Sequence, residues 1–130
     1  MNAELMYLVW VTVLTAVMWI PYILDRIAVW GLADTVGYPE SPKLQSPWAR
    51  RIKAAHANAV ENLVIFATLV LAAQATGVSN SVTVLACLVY FWARVVHLFA
   101  HTFAMPWIRT IAFVAGFGAQ IALAWQLLAR

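Results

Sequence analysis

The run Ser81-Val-Thr-Val-Leu-Ala-Cys-Leu-Val-Tyr-Phe-Trp-Ala-Arg94-Val-Val-His97-Leu-Phe-Ala-His101-Thr-Phe103 decides the fold. Every residue from 84 to 93 is apolar, and no acidic side chain interrupts the run. About 20 helical residues cross the roughly 30 Å hydrocarbon layer of a bilayer. Three further stretches reach that length, so helices are expected over about 5–29, 48–75, 81–103 and 107–128. The expectation is an all-α, integral membrane four-helix bundle, a single transmembrane domain over residues 1–130.

Composition supports this. Of 130 residues 65% are hydrophobic and only 10% charged, and the mean hydropathy is +0.83. A soluble domain of this size has a large surface to hydrate, and eight Lys/Arg with five Asp/Glu do not cover it. The net charge of +3 does not indicate a nucleic-acid partner, because most basic residues fall within 26–53, beside a predicted loop. They read as orientation signals at a membrane surface, with membrane lipids as the surrounding partner. The single Cys87, inside an apolar run, permits no disulfide framework and reads as a packing or lipid-facing residue. Residues 1–20 lack a basic leader and a small-residue cleavage site, so they read as a retained helix.

Pro21 should kink the first helix or end its regular part. Residues 31–47 contain two glycines and three prolines and read as the one substantial loop. The other two connections are short, which favours an up-down-up-down antiparallel bundle. Arg26, Lys43, Arg50, Arg51 and Lys53 flank the first loop and Arg109 the third, while the second has no Lys or Arg. Loops one and three are therefore expected on the cytoplasmic side and both termini on the opposite side.

Charged groups at membrane depth are costly and mark function. One polar stripe opens the second helix, where Arg51, Asn58, Glu61 and Asn62 share a face and His56 lies to its side. Lys53 reads as snorkelling to water, whereas Glu61 and Asn62 lie deeper and read as an interior polar site. A second stripe closes the third helix, with Arg94, His97 and His101 at spacings of three and four. Antiparallel packing brings these stripes together, and Glu61 is the natural ion-pair partner for Arg94. The His97/His101 spacing with His56 nearby also resembles a metal or haem face. No carboxylate stands at matching spacing on the third helix, and no metal is assigned. Gly116, Gly118, Ala112, Ala115, Ala119 and Ala122 give the fourth helix a small-residue face suited to close packing.

These residues together resemble the MAPEG family, membrane-associated proteins in eicosanoid and glutathione metabolism, in a bacterial-type member. The resemblance covers nearly the whole chain. It is carried by Ala55-His56-Ala57-Asn58-Ala59-Val60-Glu61-Asn62 followed by Phe66, which looks like the family's Asn-x-x-Glu signature. Arg94-Val-Val-His97 and the Pro106-Trp107-Ile108-Arg109 turn support it. The resemblance implies a homotrimer with glutathione, as co-substrate, between neighbouring subunits near the cytoplasmic face. By position, Asn58 and Glu61 would hold the peptide part, Glu61 its amino group, and Arg94 a glutathione carboxylate or Glu61. Arg26, Arg51, Asn62 and His97 complete the binding set that the resemblance and the polar stripes give. Arg109 would stabilise the thiolate, and His101 would donate or accept a proton. The chain departs from the family at Ala54, where glutathione-using members carry an arginine, and at His97, His101 and Phe113, where tyrosines are found.

The function so implied is a membrane-bound, glutathione-dependent transferase or peroxidase acting on lipophilic small molecules that arrive from the bilayer. The alternative is a non-enzymatic trimeric scaffold or lipid-binding subunit that has lost the glutathione site, a reading favoured by Ala54.

Overall fold

A computed structural model describes residues 1–129. Among them the chain forms α1 (Ala3–Val17), α2 (Trp19–Trp30), α3 (Leu32–Val36), α4 (Pro47–Thr76), α5 (Ser81–Thr102) and α6 (Pro106–Leu128). Four segments are long and apolar enough to cross a membrane: α1 with α2, then α4, α5 and α6. The expected four-helix bundle is therefore the architecture found.

Pro21 explains why the first span is two helices. It has no N–H to donate to the carbonyl of Val17, and its ring crowds that carbonyl. α1 accordingly ends at Val17, and the Met18 N–H turns back to the Thr15 carbonyl at 3.4 Å. The first loop also differs from a plain connection, because residues 32–36 form α3 between Gly31 and Gly37. Five residues are too few to show a helical period in sequence.

α4 and α6 each begin with proline, where the missing N–H costs nothing. The α4–α5 and α5–α6 turns share one device. After α4, Val78 donates to Ala73 and Gly77 to Gln74; after α5, Met105 donates to Ala100 and Ala104 to His101. This closure requires a left-handed residue. Gly77 supplies it at φ 71°, but in the second turn the position is Ala104 at φ 57°.

The core draws on every span: Leu8 and Val11, Phe66 and Val70, Ala86, Cys87 and Tyr90, Ala119 and Leu123. Phe66 and Tyr90 stack with ring centroids 3.8 Å apart, fixing the rotation of α4 against α5. Cys87 is fully buried, a packing residue. On α6, Ala112, Gly116 and Ala119 are buried, whereas Gly118 is exposed and outside that seam.

Polar bonds close both ends. Asp25, buried midway along α2, accepts from the Ser46 N–H at 3.1 Å, the Ser46 hydroxyl and Gln45 Nε2 at 3.2 Å. Trp30 Nε1 donates to the Lys43 carbonyl at 2.7 Å, so residues 43–46 are strapped to α2. At the other end Glu4 is buried and accepts from Ser79 Oγ at 2.7 Å and Thr83 Oγ1 at 2.8 Å.

Candidate functional site

Antiparallel packing sets Asn58 of α4 level with Arg94 of α5. The buried Arg94, 4% exposed, donates through Nη2 to Asn58 Oδ1 at 2.8 Å. The same Nη2 lies 3.5 Å from His97 Nδ1. A guanidinium only donates, so His97 Nδ1 is the acceptor there. Arg94 is eight residues before the end of α5, about 12 Å inside the helix at 1.5 Å per residue.

The expected Glu61–Arg94 ion pair does not form within the chain, and the reason is angular. Ala55, Ala59 and Phe66 are the buried stripe of α4. Glu61 stands two residues, or about 200°, from Ala59 and therefore faces outward. It is exposed, not interior. Asn58 and Asn62 flank the stripe, are half-buried and bond to each other: Asn62 Nδ2 donates to the Asn58 carbonyl at 2.9 Å and lies 3.4 Å from Asn58 Oδ1. Gln120 of α6 donates through Nε2 to the Asn62 carbonyl at 3.1 Å.

Two adjoining clefts open beside this group. One, of about 280 Å³, is lined by Asn58, His97, His101, Arg109, Thr110 and Phe113. The other, of about 290 Å³, is lined by Arg51, Ala100, His101, Ala104, Met105, Pro106 and Arg109. His101 and Arg109 form their common wall. The His97 ring centroid lies 5.6 Å from that of His101 and 6.4 Å from that of Phe113. Arg51 Nε donates to the Thr102 carbonyl at 2.7 Å, holding the start of α4 against the end of α5. Arg109 is exposed.

Of the predicted residues, Asn58, Arg94, His97, His101, Arg109 and Arg51 come together. Asn62 joins them behind Asn58 and lines neither cleft. Arg26 does not: its Nε donates to Gln45 Oε1 at 3.2 Å and its guanidinium lies 4.9 Å over the Trp30 ring. His56 bonds Tyr22 through Nδ1 at 2.8 Å, apart from the other two histidines. Among the described residues no three His, Cys, Asp or Glu side chains gather as for a metal. Thr110 and Gln120 are additions. Gln120 is one of two glutamines in the apolar α6 and was not singled out by its sequence, and Thr110 carries no signal of its own.

The electrostatics of the clefts are one-sided. No acidic side chain lines either, and two buried polar atoms of the group, Arg94 Nε and His101 Nδ1, lack a hydrogen-bond partner. A buried cation without a carboxylate is an unbalanced charge in a low-dielectric setting. The arrangement suits an anionic ligand.

The sequence profile of the MAPEG family matches residues 7–129, nearly the whole chain. The chain belongs to the MAPEG family. It is thus a membrane protein of a family engaged in glutathione and eicosanoid metabolism. No curated protein matches the sequence significantly. Asn58 and Glu61, which the resemblance led us to expect as a signature pair, stand about 60° apart on α4, Asn58 lining the cleft and Glu61 exposed. The donor set at the cleft fits glutathione, whose two carboxylates and ionisable thiol are acceptors. Ala54, exposed on α4, adds no donor.

Proposed function

We propose that this protein is a membrane-bound glutathione-dependent transferase or peroxidase acting on lipophilic electrophiles. The observation that carries the reading is the buried, carboxylate-free Arg94, bonded to Asn58 beside a cleft that Arg109 and His101 wall. When bound, glutathione supplies the nucleophilic sulfur. Asn58 and Arg94 receive its peptide part, with Arg51 and His97 at the margins of the same group. A thiol with pKa near 8.5 is only a few per cent ionised at neutral pH, and Arg109 stabilises the anionic form. His101, which lines both clefts, serves as proton donor or acceptor. The electrophile enters from the bilayer.

Glu61 supports a homotrimer. It lies one turn deeper than Asn58, close to mid-span, and is exposed on the outer face of the single chain. A charge facing lipid there costs about 3 kcal/mol, and a neighbouring subunit removes that exposure. Bound glutathione at such a boundary brings its amino group to Glu61, and Arg26 belongs to the same boundary. The basic residues around α2, α4 and the start of α6 favour a cytoplasmic position for loops one and three.

The test is turnover by purified protein in mild detergent, with glutathione and either a halonitroaromatic or a lipid hydroperoxide. Arg109→Ala is expected to lower kcat by about 100-fold, the scale for losing one preorganised charge stabiliser. No turnover and no glutathione binding by folded, trimeric protein would favour the scaffold, the reading to which Ala54 points.

A further inference from the structure

Asn58 is held from two directions. Its Oδ1 receives Arg94 Nη2 at 2.8 Å and faces Asn62 Nδ2 at 3.4 Å. Asn62 is itself fixed, because the same Nδ2 donates to the Asn58 carbonyl at 2.9 Å and its own carbonyl accepts from Gln120 Nε2 at 3.1 Å. Gln120 is 3% exposed. An amide whose oxygen meets two donors has only one stable orientation, since turning it over would set its NH2 against the guanidinium. Asn58 Nδ2 has no hydrogen-bond partner among the described residues and is not sealed from the surface, and Asn58 lines the cleft.

We infer that Asn62 is a positioning residue: with Arg94 it locks the Asn58 carboxamide with oxygen inward and NH2 toward the cleft, so the ligand group received there must be an acceptor, a carboxylate or peptide carbonyl. Asn62 was expected to touch the ligand. It acts instead through Asn58, and Gln120 holds its backbone in register from α6. For glutathione this rests on the proposed function, but the lock itself is a property of the free protein.

A double-mutant cycle tests it: native, Asn62→Leu, Asn58→Leu and the double variant, each purified in detergent. Melting temperature is read without ligand, and glutathione affinity by titration. Asn62→Leu is expected to weaken glutathione binding about tenfold in the native background and less than about twofold in the Asn58→Leu background. Asn62→Gln, which keeps a carboxamide donor, is expected to recover part of the loss. Equal losses in both backgrounds, or none, would overturn the inference. If no variant binds glutathione, the ligand-free cycle still decides: non-additive melting shifts support the lock and count against the functional reading alone, whereas additive shifts overturn the lock.

Discussion

Arg94 Nη2 donates to Asn58 Oδ1 at 2.8 Å, so a buried cation inside the span meets a neutral amide where a carboxylate would balance its charge. Under the proposed function this imbalance draws an anionic ligand to the cleft, and it makes position 58 a point where stability and binding are expected to oppose each other.

Asn58→Asp exposes that opposition. The new carboxylate pairs with Arg94, and its second oxygen replaces the cleft-facing NH2 with an acceptor. The variant is expected to melt higher than the native protein while binding glutathione more than about tenfold more weakly, since a donor has become a charge of the ligand's own sign. Parallel thermal denaturation and ligand titration check both halves. A variant that binds as well as native contradicts the orientation given to Asn58.

Much of the fold was legible because the four spans announce themselves by composition alone. The partner of Arg94 was not. Helical period gives the angle between Asn58 and Glu61, but which of them meets α5 depends on how α4 is rotated, and Phe66 against Tyr90 sets that. Glu4 was overlooked for a related reason: its partner Ser79 stands 75 residues along the chain, beyond any local pattern. The convergence of Asn58, Arg94, His97, His101 and Arg109 was legible, since antiparallel order alone brings those helix ends together.

Glu4 ties the start of α1 to the second loop and α5. Its replacement by alanine leaves the Ser79 and Thr83 hydroxyls without their acceptor and is expected to destabilise the protein by about 1–3 kcal/mol. Glu4→Gln, which keeps a carbonyl oxygen, should lose less. Unfolding in graded SDS–detergent mixtures measures the difference, and glutathione affinity of the folded fraction should be unchanged.

Ala104 holds a left-handed conformation at φ 57°, where the equivalent turn uses Gly77. That backbone costs an L-residue about 1 kcal/mol. Ala104→Gly is therefore expected to raise the melting temperature, while Gly77→Ala should lower it by a similar amount. If Ala104→Gly also reduces turnover, the strain serves the cleft that Ala104 lines.

The most direct test of the account is a glutathione titration of native protein in mild detergent beside Glu61→Gln and Arg109→Ala. Saturable binding by the native protein, weakened by both substitutions, is the predicted result. Folded, oligomeric native protein that takes up no glutathione at millimolar concentration would contradict it.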